Sequence, residues 1–177
     1  MADSTLRLTI GELRQIFNAM DPAPFRERDL DRNAEAYILD WANEVDARAP
    51  LALDVTLTRE AASPEAGATL RDAVHAFFGE RAVAKRREIR RLFRRGRVSL
   101  VIGLAFLAGA ILLGDFLAGL APRDRYAVII QETFVIGGWV ALWRPLEIFL
   151  YDWWPMVAEA RLFDRLGAMR VDVTGTA

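Results

Sequence analysis

The sequence predicts an α+β domain joined to a hairpin of two transmembrane helices. Apolar stretches at residues 98–121 and 126–143 are each long enough to cross about 30 Å of hydrocarbon as a helix. A strongly basic segment, residues 81–97, comes directly before the first stretch. Short segments in which apolar and polar residues alternate, as they do in half-buried strands, lie both before and after the hairpin.

Residues 1–80 are predicted to form the first part of a cytoplasmic α+β domain. Residues 6–10 alternate leucine or isoleucine with polar residues, which indicates a strand. Thr9 and Glu12 have the spacing of a capping box. We therefore expect a helix to begin here and to bury apolar residues as far as Met20.

Two further helices and a second strand are predicted before the membrane. Residues 29–48 form a helix with Asp29 as its N-cap, and residues 51–58 show the clearest strand alternation in the chain. Ser63 and Pro64 begin a third helix, which is expected to continue into the first span. The face of the 29–48 helix that is expected to be buried carries Leu30, Ala34, Tyr37, Ile38, Trp41 and Val45.

Only the external loop, residues 122–125, separates the two spans, so the spans are expected to be antiparallel neighbours. Residues 81–97, directly before the first span, contain nine Lys or Arg residues, whereas the loop contains two arginines. Since positive residues hold their end of a span in the cytoplasm, both termini are predicted to be cytoplasmic. Only one of the 23 basic residues is lysine, and alanine is abundant. We interpret this as a high-GC bacterial coding bias and predict the bacterial inner membrane as the location.

The chain after the second span is predicted to return to the domain. Pro145 suits the first turn of a new helix, and residues 145–166 are expected to lie along the cytoplasmic interface, bent near Pro155. Residues 167–177 alternate as a strand, and a single strand needs partners. We expect it to join the amino-terminal strands in a sheet of three or more. The predicted interfacial anchors are Trp139, Trp143, Trp153 and Trp154.

Charge is unevenly distributed along the chain. The net charge is −7 over residues 1–80, +8 over residues 81–97 and −2 over residues 98–177. The chain has no cysteine, which excludes disulfides, thiolate metal sites and thiol nucleophiles. No phosphate-binding glycine loop or zinc-type histidine spacing is present. We therefore predict no catalytic residue, no cofactor and no bound metal.

Two acidic residues in the spans, Asp115 and Glu132, form the first candidate site, with Gln131 beside them. Counted from Arg123, both carboxylates lie at about the same depth, roughly 12 Å below the loop. Carboxylates in a membrane usually face a partner or water. One interpretation is a proton or cation site in which one carboxyl is protonated. The other is structural: Arg123 and Arg125 neutralise the acids, or the acids and Gln131 form interhelical hydrogen bonds.

The basic segment is predicted to contact anionic lipid headgroups, at about 1 kcal/mol for each well-placed charge. The alternative is that it only fixes the topology. Nucleic acid is not an expected partner, because the charges adjoin the membrane and lack interleaved aromatic residues. The predicted headgroup contacts are Lys85, Arg86, Arg87, Arg90, Arg91, Arg94, Arg95 and Arg97.

Small residues in the spans predict close helix packing and a homo-oligomer, because two spans bury little surface on their own. The predicted packing residues are Ala110, Gly114, Ala118, Gly137 and Gly138.

The remaining candidates favour structural roles: His75, the only histidine, as a packing or surface residue, and the acidic face around Asp31 and Glu35 as a solvated surface. The leading hypothesis is a non-enzymatic, two-pass inner-membrane protein that presents its cytoplasmic domain to an unidentified protein partner. The alternative is a small proton or cation channel or transporter that uses Asp115 and Glu132.

Overall fold

The computed structural model describes residues 4–18, 29–120 and 125–175, without the side chains of Ala118, Leu120, Ile130 and residues 125–127. The chain divides into two compact units. The sheet unit consists of Met1–Lys85 and Ala158–Ala177, and the helical unit of Arg86–Val157. The predicted external loop, residues 122–125, lies outside the described residues except for the backbone of Arg125, which belongs to a helix.

The sheet unit contains a three-stranded parallel sheet of β1 (Thr5–Ile10), β2 (Ala52–Leu57) and β3 (Arg170–Gly175), in the order β1-β2-β3. Leu6 lies opposite Leu53, and Leu53 lies opposite Val171. The predicted sheet of three strands with helices is therefore present, and it includes the strand that follows the hairpin. The sequence did not indicate that the strands are parallel.

Alternation in the strands gives the sheet one buried face. Leu53, Val55, Leu57 and Val171 have no exposed surface, and Leu6 is 6% exposed. Since successive side chains point to opposite faces of a strand, the same register places polar residues on the other face. The helices cover the apolar face with the fully buried residues Ile38, Leu70, Val74, Phe78 and Leu166.

The predicted helix after β1 is a single 3-10 turn, Leu13–Ile16. Thr9 belongs to β1, opposite Thr56, so it is not available as a cap. The capping box is instead formed by Glu12 and Gln15. Strand pairing therefore prevails over the capping pattern, and the prediction of a longer helix is wrong within the described residues.

Helix α1 (Arg32–Glu44) is shorter than the predicted 29–48 helix. Its N-cap is Asp31, whose carboxylate accepts a hydrogen bond of 2.9 Å from the backbone N–H of Asn33. At the other end Val45 has an extended backbone and ends the helix. Tyr37, which was predicted to be buried, is 56% exposed, because the buried face passes through Ile38 and Ala42.

Helix α2 (Pro64–Leu120) is one helix of 57 residues and contributes to both units. The hydroxyl of Ser63 accepts a 3.0 Å hydrogen bond from the N–H of Ala66, as expected of the predicted N-cap. The helix continues through Gly79, so the predicted continuation into the first apolar stretch is present.

The second apolar stretch lies in α3 (Arg125–Glu147), which is followed by a π-helical turn, Ile148–Asp152, and by α4 (Trp153–Leu166). Pro145 was expected to begin a new helix, but it lies inside α3. The irregular turn lies at residues 148–152 rather than near Pro155. Pro155 is the third residue of α4, which follows the π-helical turn without a break.

Two helical stretches each contain a segment that is long and apolar enough to cross a membrane: Pro64–Leu117 within α2, and Gln131–Leu166, which spans α3, the π-helical turn and α4. Only 17% and 22% of the most apolar segments of these two stretches are buried within the chain.

Candidate functional site

The helical unit is built on close contact between α2 and α3. Because proline has no N–H, Pro145 leaves the carbonyl oxygen of Ala141 without its helical donor. A Cβ added at Gly103 would lie 3.1 Å from that oxygen. Glycine thus lets the backbone of α2 approach the carbonyl that the proline leaves unpaired.

α2 and α3 are also in close contact at two further positions, nearer the end of α2 and the start of α3. A Cβ added at Gly138 would lie 3.1 Å from the Cα of Leu107, and one added at Gly114 would lie 3.3 Å from the Cβ of Phe134. The helices are therefore packed through positions where a side chain larger than hydrogen does not fit without movement.

The side chains of Asp115 and Gln131 meet across α2 and α3. The amide nitrogen Nε2 of Gln131 donates a 2.8 Å hydrogen bond to Oδ1 of Asp115. The side chain of Glu132 is exposed on α3. It forms no hydrogen bond or ion pair with another residue in the described part of the chain. The bond between Gln131 and Asp115 is an interhelical hydrogen bond of the kind that the structural interpretation of the acidic residues predicts. Arg123 and the side chain of Arg125, which that interpretation also involved, lie outside the described parts.

The predicted packing residues divide into two groups. Ala110, Gly114 and Gly138 are buried. For the two glycines, the nearest atoms belong to the opposite helix of the same chain. Gly137 is exposed, and a Cβ added there would have no atom within 4 Å. The side chain of Ala118 is not among the side chains that the structure describes.

Arginines next to the first apolar stretch line a groove on α2 of about 290 Å³. We call this the arginine groove; its five lining residues are Arg87, Arg90, Arg91, Arg94 and Arg97. All five are exposed, and none forms an ion pair or hydrogen bond with another described residue. No acidic side chain lines the groove, so it concentrates five positive charges without a counter-charge from the described protein.

Three other residues of the predicted headgroup set lie outside the arginine groove. Lys85 pairs with Glu159 at 3.1 Å within the sheet unit, and Arg86 has an interaction within the chain. Arg95 is exposed but does not line the groove.

A second groove of about 280 Å³ continues from the first along the same helix. We call it the apolar groove; it is lined by Arg97, Val98, Val101 and Ile102. The two grooves share Arg97, so a positively charged surface passes directly into an apolar one. The sequence analysis missed this continuity, although its signal is visible: Arg87, Arg94 and Val101 follow one another at seven-residue spacing, which keeps them on one helix face.

A polar cluster follows the second predicted span. Arg144 Nη1 lies 2.9 Å from Oε2 of Glu147 and 3.4 Å from Oδ2 of Asp152, and Nε1 of Trp143 donates to Glu147 at 3.0 Å. Glu147 therefore accepts hydrogen bonds from both Arg144 and Trp143 at the end of α3.

The predicted tryptophan anchors lie on both sides of the π-helical turn. Trp139, Trp143 and Trp154 are 60%, 68% and 58% exposed. Trp153 is half-buried, and its Nε1 donates a 2.9 Å hydrogen bond to the carbonyl of Phe149. Trp153 thus satisfies a backbone acceptor inside the irregular turn.

The sheet unit has an open cleft of about 560 Å³ at the carboxyl ends of β1 and β2. Its charges are partly satisfied internally: Glu12 pairs with Arg14, and Glu60 accepts a hydrogen bond from the N–H of Leu13. No sequence pattern indicated this cleft, because its walls come from separate loops and the start of α2.

The other sequence candidates in the sheet unit have structural contacts. His75 donates through Nε2 to the carbonyl of Met169 at 2.8 Å, which fastens the start of β3 to α2. Asp31 caps α1, and Glu35 pairs with Arg81 at 2.8 Å. Among the described side chains, no group of three or more His, Cys, Asp or Glu could hold a metal ion.

No protein-family model, no curated protein and no solved structure matches this chain.

Proposed function

We propose that the chain is a two-pass protein of the bacterial inner membrane that forms homo-oligomers and presents the sheet unit to a protein partner in the cytoplasm. The observation that carries the proposal is the exposed apolar surface of α2 and α3, which begins where the arginines end. Soluble proteins rarely leave contiguous apolar patches of more than a few hundred Å² exposed. Large apolar residues that are at least 50% exposed include Val101, Ile102, Phe106, Leu112, Phe116, Ile136 and Val140.

The unburied face of the sheet supports an interaction domain. Parallel sheets are normally covered on both faces. Here Arg7, Thr9 and Thr174 are exposed on the second face, and Asp54 and Thr56 are half-buried. A polar, relatively flat surface of this kind suits a protein partner that forms hydrogen bonds and ion pairs.

Unused small residues on the spans support the homo-oligomer. Gly109 on α2 and Gly137 on α3 are exposed, and a Cβ added at either would have no atom within 4 Å. Ala105, four residues before Gly109, is also exposed. In a membrane, such positions let the backbones of neighbouring chains approach each other closely.

A proton or cation path through Asp115 and Glu132 is the competing proposal. Glu132 favours it, because an exposed carboxylate on an apolar helix needs water or a partner. The path would also require the carboxylate of Asp115. The bond from Gln131 favours the structural alternative, since it already satisfies one oxygen of that carboxylate.

The proposal is tested by locating three points of the intact chain in cells. A reporter that is active only in the cytoplasm is fused to either terminus, and the same reporter inserted between residues 121 and 125 serves as the control. We expect activity at both termini, none in the loop, and retention of the protein in membranes after alkaline extraction. Termini on opposite sides, or recovery without detergent, would overturn the proposal. Cation or proton flux into proteoliposomes that is lost in Glu132→Gln would replace it with the transport alternative.

A further inference from the structure

We propose that the arginine groove and the apolar groove together bind one anionic glycerophospholipid. Its phosphate lies among the five arginines and one acyl chain lies along Val98, Val101 and Ile102. This inference rests on the proposed membrane location and goes beyond it. Basic residues can be attracted to a negatively charged membrane without a defined binding site. The inference here is more specific: one lipid molecule binds in the two grooves on one face of the helix.

The electrostatics of the arginine groove favour binding of an anion. Like charges three or four residues apart on a helix destabilise it, and Arg87, Arg90, Arg91, Arg94 and Arg97 are related by these spacings. None of the five has an acidic partner among the described residues. A phosphate placed between them would replace repulsion by attraction at every guanidinium. Arginine suits this role because its planar fork donates two parallel hydrogen bonds to phosphate oxygens.

The size of the arginine groove fits a headgroup rather than a whole lipid. Its volume of about 290 Å³ lies near the lower end of the range of ligand pockets, about 300–1,000 Å³. This is room for a phosphodiester and its nearest glycerol atoms. The acyl chains must then lie elsewhere, and the apolar groove begins at Arg97, which lines both grooves.

The order of the two grooves identifies the ligand as a lipid. From Arg90 to Ile102 the helix rises about 18 Å, and along this distance one face changes from guanidinium groups to valine and isoleucine. A free phosphate or a soluble polyanion would use only the arginine half. A glycerophospholipid has a charged phosphate followed by acyl chains, so its phosphate matches the arginine groove and an acyl chain matches the apolar groove.

Arg94 and Arg95 provide a matched pair of variants. They are adjacent, have the same charge and are both exposed, but only Arg94 lines the arginine groove. The full chain is purified in a mild nonionic detergent, and phosphatidylglycerol binding is titrated by native mass spectrometry. We expect one lipid bound per chain. In Arg94→Gln we expect roughly tenfold weaker binding, because the variant loses hydrogen bonds between a charged guanidinium group and the phosphate. In Arg95→Gln the expected loss is less than about threefold, the effect of one screened charge.

Two further measurements identify the ligand. Zwitterionic phosphatidylcholine should bind at least tenfold more weakly than phosphatidylglycerol, and glycerol 3-phosphate, which has the phosphate but no acyl chain, should not compete at equal concentration. Effective competition by glycerol 3-phosphate would make the site a phosphate site and end the lipid assignment.

Equal losses in Arg94→Gln and Arg95→Gln, or no saturable binding, would also overturn the inference. The membrane location would survive these results, because it is tested separately by the reporter fusions. Circular dichroism and gel filtration of both variants confirm that each is folded before its affinity is compared.

Discussion

At the scale of single residues, the acidic pair Asp115 and Glu132 has one observed side-chain contact among the described residues, the hydrogen bond from Gln131 to Asp115. An interhelical hydrogen bond in a membrane contributes about 0.6 to 1.7 kcal/mol. In a double-mutant cycle of Asp115→Ala and Gln131→Ala, we expect a coupling energy of about 1 kcal/mol, measured by reversible unfolding in mixed micelles.

The same cycle with Glu132→Ala in place of Gln131→Ala is the control. Glu132 forms no hydrogen bond or ion pair in the part of the chain that the structure describes, so its coupling to Asp115 is expected to be near zero. A larger coupling for Glu132 than for Gln131 would contradict the structural role of the bond.

These residues also show what the sequence could predict about the site. Counting from the turn placed Asp115 and residues 131–132 at the same depth, because helical rise is constant. It could not tell which residue faces Asp115, since one step along a helix rotates a side chain by about 100°. The rotation is set by packing contacts, such as that of Gly114 with Phe134, which involve residues far apart in sequence.

At the scale of helices and strands, the contact between α2 and α3 depends on glycines that are adjacent but not equivalent. A Cβ at Gly138 would lie 3.1 Å from the Cα of Leu107, whereas a Cβ at Gly137 would have no atom within 4 Å. We expect Gly138→Ala to lower the free energy of unfolding by about 1–3 kcal/mol, the usual cost of overpacking. Thermal unfolding in detergent measures it.

Gly137→Ala is the matched control, because both changes raise helix propensity by the same amount, about 1 kcal/mol. In a detergent that keeps the chain monomeric, so that the proposed contact of Gly137 with a neighbouring chain is absent, we expect Gly137→Ala to be neutral or stabilising. Equal destabilisation by the two variants would show that α2 and α3 do not pack in this register.

The elements themselves were predictable where one local pattern decided them. The strands β1 and β2 and the two apolar helices follow directly from alternation and from long apolar stretches. The parallel direction of the strands was not predictable, because it depends on the path of α1 and α2 between them. The continuation of α3 through Pro145 was not predictable either, because proline is found more often in the first turn of a helix than in its interior.

At the scale of the whole chain, the sheet unit is assembled from sequence on both sides of the hairpin. Val171 of β3 and Leu166 of α4 have no exposed surface, and both lie in the core with residues of the amino-terminal segment. Residues 1–85 alone therefore lack one strand of the sheet and part of the core. The sheet unit can be complete only after the chain has passed through the helical unit and returned.

The two segments of the sheet unit should fold together without the hairpin. Lys85 and Glu159 form a 3.1 Å ion pair, so the cut ends lie near each other. A chain in which residues 86–157 are replaced by about ten Gly and Ser residues, long enough for such a gap, is expected to be soluble, monomeric and cooperatively folded. The same chain without residues 168–177 should aggregate or remain unfolded, because β2 and α2 would expose apolar surface that β3 covers.

Within this shortened chain, Val171→Ala is expected to lower the free energy of unfolding by about 2–3 kcal/mol, through the loss of two buried methyl groups and the cavity they leave. Thr174→Ala, at an exposed position of the same strand, should cost less than about 1 kcal/mol. Urea unfolding followed by circular dichroism measures both values. If the chain without residues 168–177 is as stable as the one that retains them, β3 is not part of the core, and the two ends of the sequence do not form one domain.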